Sequence, residues 1–448
     1  MAIGPALAAS GPDGPTAAPA RASIGQAIRR VAHPIAGLPQ DYDRLLEAIG
    51  GARIVLLGED THGTREFYQA RALLTRRLIA ERGFSGVVIE ADGPDAASLS
   101  GYLGGHGDAT DAGLALDSFQ RFPRWMWRNT DFRDFLEWLR SFNLRRDTGR
   151  GPVIVHGMDL YEIAQSITQV IDHLESVNPA AAASARSRYA CFAASGYDVQ
   201  RYGAVVAVTP GADCSAAAQE VTADLAAGVH LQAGTKVNAA DPAHFQALQA
   251  ARAVRGAEEY FRILHTQPDE AWNYRDRHMA DMVDALLTHL DAAGDSRSRI
   301  VIWAHNAHVG DARATSRGAL GYLTVGQLLR ERHGDNAFLV GFTTATGTVR
   351  AATDWGGPDL VKRLLRPLAG SHAAIFHSTG LQRFYLFPQA TSRIRRFLDQ
   401  PRPQRGVGVR YLPELELAGH YYRARLSSQF DAVVHFDRTT ALVPLAEP

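Results

Sequence analysis

From residue 53 onward the apolar positions fall into two rhythms. Arg53-Ile-Val-Leu-Leu-Gly58 is a short unbroken apolar run closed by glycine, as a strand buried on both faces requires. Residues 65–82 then repeat apolar positions at three or four residues (Phe67, Ala70, Leu74, Leu78 and Ile79), with the arginines largely between them. That spacing predicts a helix, and Gly83 closes it. Gly86-Val-Val-Ile-Glu90, Pro152-Val-Ile-Val-His156, Arg299-Ile-Val-Ile-Trp-Ala304 and Ala337-Phe-Leu-Val-Gly-Phe342 repeat the strand signature. Strands interleaved with helices predict an α/β fold, a mostly parallel sheet flanked by helices.

Between Tyr161 and Asp295 no strand pattern stands out. The segment is rich in Ala, Gln, Glu and Arg, with helical spacing around Tyr189, Phe245, Tyr260, Met282 and Leu286. It reads as a large helical insertion or subdomain. Later runs such as Arg383-Phe-Tyr-Leu-Phe387 and Asp431-Ala-Val-Val-His-Phe436 should complete or edge the sheet. The division expected is a disordered Ala/Pro/Gly-rich tail over 1–35, an α/β core over 36–160 and 296–448, and the helical insertion over 161–295. An insertion leaving the third strand emerges at its carboxyl end, so it is expected to cap the cleft there and set specificity.

Composition narrows the partner. Lys plus Arg and Asp plus Glu number 47 each, so no global field draws in nucleic acid or an anionic membrane. A small molecule is the expected partner, and nothing in the sequence fixes an oligomeric state. No apolar run approaches the ~20 residues that span a bilayer. The first twenty residues carry no Lys or Arg and lack a continuous apolar core, although Ala-Leu-Ala-Ala faintly resembles a signal-cleavage site. The expectation is a soluble, cytoplasmic protein. Cys191 and Cys214, the two cysteines, exclude a disulfide scaffold and a cysteine zinc site; two unpaired thiols are expected, with one disulfide as the alternative.

The chemistry collects at strand ends. Four predicted strands finish in ionisable residues: Glu59 and His62, then Glu90, then His156 and Asp159, then His305 and His308. Parallel strands share one carboxyl edge, where open α/β sheets bind ligands. His62, in Gly58-Glu-Asp-Thr-His-Gly63, suits the role of general base at neutral pH, with Glu59 or Glu90 holding its tautomer. The plainer reading of Glu59 is a carboxylate that caps the following helix. Arg71 shares a helix side with Phe67, Leu74 and Leu78, so it should point inward and need a carboxylate partner. It could hold the cleft, donate to an oxyanion, or serve as a purely structural ion pair. Glu59, His62, His305 and His308 could also form a zinc or manganese set, though no HExxH helix or aspartate cluster accompanies them. Trp125 and Trp127 read as core or cleft wall, Trp127 with a place against a large apolar ligand. G-x-S-x-G, the P-loop and the dinucleotide pattern are missing from the sequence, which argues against a serine nucleophile and nucleotide chemistry.

These motifs resemble the erythromycin esterase family. Gly58-Glu59-Asp60-Thr61-His62-Gly63 is similar to its first signature, and Trp303-Ala-His305-Asn-Ala-His308-Val-Gly-Asp311 to its second. Arg71, Glu90, Gly157-Met-Asp159, Arg275-Asp276 with Met279, Gly326-Gln-Leu-Leu and Phe430-Asp-Ala-Val-Val-His435 look like further landmarks, so the likeness runs over roughly residues 40–440. The resemblance implies a carboxylic ester hydrolase acting on macrolide lactones in antibiotic-resistance members, with water activated by histidine and no metal or other cofactor. On the resemblance His62 would be the base and Glu59, Arg71, Glu90 and His305 its support, with His308 beside them. His308, His156 and Asp159, from their strand-end positions, and Trp127, as cleft wall, are the expected substrate-binding residues. Two other readings stand beside it: a biosynthetic enzyme that forms, opens or rearranges a natural-product ring with the same base, and a binding protein on this scaffold without turnover.

Overall fold

The structure, a computed structural model, describes residues 17–146, 151–231, 238–294 and 297–446, with the backbone alone for 17–23. In chain order its strands are β1 (His33–Pro34), β2 (Ile54–Leu57), β3 (Gly86–Asp92), β4 (Ile154–Asp159), β5 (Ile300–Trp303), β6 (Ala337–Ala352), β7 (Asp359–Leu364), β8 (Arg383–Leu386), β9 (Arg402–Arg405), β10 (Tyr421–Ala424) and β11 (Ala432–Thr439). The chain forms two compact units. One combines Ser85–Tyr102 with Ile154–Ile300, and the other takes the segments before, between and after them. The fold is α/β, with a mostly parallel sheet and a large helical region, as the alternating pattern predicts.

In the second unit the strands run in the order β1-β8-β11-β6-β2-β5, with β7 on the far half of β6. β6 lies parallel to β2 and to β11, with Leu56 opposite Leu339 and Val434 opposite Phe342. β8 and β7 are antiparallel to their neighbours. Every residue of β2 and β5 is buried, which is why their sequences are continuous apolar runs. β6 continues well past Phe342. Its second half, rich in β-branched Thr and Val, pairs with β7 and lacks the unbroken apolar signature. The helix Arg65–Arg82 has the predicted limits, and Gly83 ends it in the left-handed conformation at φ 71°. A helix over Ala17–Val31 stands inside the stretch expected as a tail; Ile24 and Ile28, one turn apart, are both buried. Residues 1–16 of that expected tail lie outside the described residues.

The first unit holds β3 and β4, parallel with Gly86 opposite Ile154, and the helix Gly93–Gly104. It also contains helices over Ile163–Val177, Pro179–Tyr189, Val199–Val208, Ser215–Ala227, Pro242–Leu264 and Pro268–Ala292. Tyr189, Phe192, Tyr202, Val254 and Phe261 form part of its buried core. The helical region thus exists where helical spacing placed it, but β3 and β4 group with it rather than with the rest of the sheet. Cys191 and Cys214 form a disulfide, correcting the expectation of two free thiols. The sequence separates them by 23 residues, and folding of the helices brings their Cα atoms to 5.9 Å. Among the described residues no helix is long and apolar enough to cross a membrane.

Candidate active site

The loop after β2 is built for close approach. A Cβ on Gly58 would overlap the Asn306 side-chain oxygen, and one on Gly63 would overlap the Arg350 carbonyl, so glycine is required at both positions. Between them Glu59 is fully buried and His62 nearly so. His62 Nδ1 lies 2.9 Å from Glu59 Oε1, and Arg71 Nη2 lies 2.8 Å from Glu59 Oε2. The second contact is a fully buried ion pair. One carboxylate therefore serves two partners, an imidazole and a guanidinium. Arg71 has no exposed surface, and its guanidinium carbon stands 4.2 Å from the Tyr68 ring centre and 5.0 Å from that of Trp303. It faces inward as its helix position predicts, and its carboxylate partner is Glu59.

His305 follows β5. Ala304 N donates to Leu57 O at 3.4 Å and Asn306 N to Glu59 O at 2.7 Å, so both chains advance two residues together and their carboxyl ends meet. Asn306 fixes this turn further: its amide donates to Phe342 O and accepts from Phe342 N, as a strand neighbour would. The His62 and His305 rings come to 4.8 Å between centres. His305 Nδ1 accepts from Ala307 N at 3.1 Å, so the neutral ring carries its proton on Nε2. The His62 contact assigns the opposite tautomer, with Nδ1–H donating to the carboxylate and the lone pair on Nε2. One ring is thus set as acceptor and its neighbour as donor. His308 is buried in the same short turn, its N–H donating to His305 O at 2.9 Å.

Three residues that sequence reasoning did not single out complete the surroundings. Asp60 is buried and accepts from Thr344 N at 3.0 Å. Burial pushes its pKa up to about 8; Arg405 and the Thr344 N–H pull it back, and the Glu59 charge raises it further. Arg405, also buried, donates to Glu416, Ala345 O and Leu365 O. The chain around it runs beside the loop: Val407 N donates to Asp60 O at 2.7 Å, and Val407 O accepts from His62 N at 3.2 Å. A Cβ on Gly406 would stand 3.6 Å from His305 Cε1 and 3.4 Å from Tyr422 Cε1, so backbone lies against the histidine. Asp60 was visible inside the first motif, whereas nothing local marks Arg405 or Gly406.

Glu90, His156 and Asp159 belong to the first unit, where a second buried ionic group forms. Arg275 grips Asp159 through Nε at 2.9 Å and Nη2 at 2.6 Å, and reaches Glu90 Oε1 at 3.1 Å. Its guanidinium carbon also lies 5.1 Å from the Tyr161 ring centre. His156 packs 5.6 Å from Phe245, and burial lowers its pKa to about 4, so it stays neutral. Trp127, in the second unit, sits in an aromatic cluster 5.0 Å from Phe132 and 6.0 Å from Tyr68.

Known proteins share this architecture. A solved structure described as a succinoglycan biosynthesis protein superposes with a TM-score of 0.76 at 20% identity, covering 97% of this chain and all of that one. A Bacillus cereus protein does so at 0.79 and 19%, covering 95% and 99%. A variant of the erythromycin esterase EreC in its open conformation matches at 0.65 and 20%, covering 90% and 94%. Erythromycin esterase type II of Escherichia coli is 22% identical over 344 residues, 69% of this chain and 73% of that protein. The type I enzyme of the same organism is 25% identical over 311 residues, 65% and 70%. The sequence profile of the erythromycin esterases matches residues 79–439, well over half the chain, and by that match the protein belongs to the erythromycin esterase family.

Proposed function

We propose that the protein hydrolyses carboxylic esters or lactones by direct attack of water, with His62 as general base. The observation that carries this reading is the paired tautomers of two adjacent histidines, one held as acceptor by Glu59 and the other as donor by Ala307 N–H. His62 Nε2 takes a proton from water as its oxygen attacks the carbonyl carbon. Glu59 stabilises the resulting imidazolium, as a carboxylate does beside a catalytic histidine. The tetrahedral oxyanion receives the His305 Nε2–H, a donor preoriented by the Ala307 N–H bond to Nδ1. Collapse breaks the bond to the alkoxide, which takes the proton from His62, and acid and alcohol leave. Arg71, buried between two aromatic rings, positions Glu59 rather than touching substrate.

The names of the two enterobacterial relatives make a macrolide lactone the first substrate to test, followed by simpler lactones and esters. His62→Ala is expected to cut turnover at least ~10²-fold, and His305→Ala by ~10²–10³, with circular dichroism unchanged. Mass spectrometry during turnover should find no covalent adduct. Normal turnover in His62→Ala, or an acyl group trapped on a serine, would overturn the mechanism.

A further inference from the structure

Three histidines in the helical unit have no part in this chemistry. His173 lies on the helix Ile163–Val177, His230 in the turn after the helix Ser215–Ala227, and His244 in the first turn of the helix Pro242–Leu264. Folding brings one ring nitrogen from each to within 4.8 Å of the others. Ring centres are 5.2 Å apart for His230 and His244, and 5.8 Å from each to His173. Among the described residues His173 Nε2 and both ring nitrogens of His230 and His244 are buried without a hydrogen-bond partner. Buried polar groups are ordinarily paired, so several unsatisfied nitrogens facing one another point to an absent ligand.

The backbone around the trio is firmly held. Asn178 caps the helix Pro179–Tyr189 with its carbonyl and donates its amide to His230 O at 3.1 Å. Asp241 caps the helix that carries His244, and its charge lies close enough to act on both His173 and His244. Burial lowers the pKa of all three rings, which favours the neutral imidazole that metals bind.

We propose that His173, His230 and His244 form a binding site for a divalent transition ion, zinc being the best suited, separate from the catalytic histidines. Neutral imidazole is a preferred ligand of zinc and its late first-row neighbours, and three of them leave one position for water. Ligation at ~2.0–2.1 Å sets the nitrogens about 3.4 Å apart, so binding would draw the rings in from their present nitrogen spacing of within 4.8 Å. The ion would join two helices and a turn, and its role is to brace the helical unit.

The test uses untagged full-length protein, stripped with chelator and titrated with zinc sulfate against a competing chromogenic chelator. One ion per chain is expected, with a melting temperature raised by zinc and lowered by chelator. His230→Ala and His244→Ala should each weaken binding at least ~10²-fold and abolish the thermal shift. Cobalt loaded into the wild-type protein should give the visible bands of a low-coordinate imidazole complex, displaced by zinc; this readout does not depend on a variant folding. His62→Ala and His305→Ala should bind zinc normally. Substoichiometric binding, affinity unchanged in both His230→Ala and His244→Ala, or zinc lost with His62 would overturn the proposal. Loss with His62 would also displace the water-activation reading, whereas the first two results leave that reading standing.

Discussion

Arg71 carries its charge with no exposed surface, between two aromatic rings and against one carboxylate. Removing one member of such a pair strands the other in a medium that solvates it poorly. Arg71→Met should therefore cost about 3–5 kcal/mol, read as a fall in the urea midpoint. Glu59→Gln added to it should cost much less than it does alone; simple additivity would mean the two groups are not coupled. Asp60 gives a pH signature. Its pKa rises from the usual carboxylate value to about 8 on folding, so between those limits the folded state binds the extra proton. Its contribution is full at low pH and is lost as pH rises toward 8, at most about 1.4 kcal/mol per unit. Asp60→Asn keeps an acceptor for Thr344 N and should flatten that slope relative to wild type between pH 5 and 8; a parallel slope would refute it. At this scale His62, Glu59 and His305 were legible because they end strands within short motifs. Arg405 and the three helical histidines were not, since each gains its meaning only from neighbours distant in sequence.

Among elements, those with a strong period were read almost to the residue. The helix Arg65–Arg82 follows its three- and four-residue apolar spacing, and β2 and β5 follow short, wholly buried apolar runs. The extension of β6 and its hairpin with β7 escaped, because threonines and a glycine interrupt the apolar run and pairing alone makes it a strand. Spacing also says nothing about cross-links. The Cys191–Cys214 bond closes a loop of 23 residues, for which chain entropy gives a stabilisation of about 3 kcal/mol. Reduction, or Cys191→Ala with Cys214→Ala, should lower the unfolding midpoint of the helical unit by a corresponding amount. An identical midpoint in oxidised and reduced protein would show that the bond contributes no stability.

For the molecule as a whole, acid should be more damaging than mild base. His156, His278 and His372 are buried, and burial lowers each pKa to about 4. The unfolded chain takes up protons there near pH 6.5, so stability present above that value drains away as pH falls toward 4. His372→Gln retains a donor for Ala424 O, where the imidazole stands at 2.9 Å, and should remove about one proton from the acid limb of the stability curve. An unchanged acid limb would place the lability elsewhere.

The loop that carries His62 rests almost wholly on chain that follows much later. Asn306, Arg350, Val407, Thr440 and Leu442 hold it through backbone bonds, and Thr344, which fixes Asp60, lies 284 positions further along. On a ribosome adding about 5–20 residues per second, the motif waits tens of seconds before its supports are made. Through that interval β2 is an apolar strand with neither β5 nor β6 beside it, a template for pairing with the wrong chain. Expression yield should accordingly depend on chaperone supply and translation speed more steeply than the stability of the finished protein would suggest.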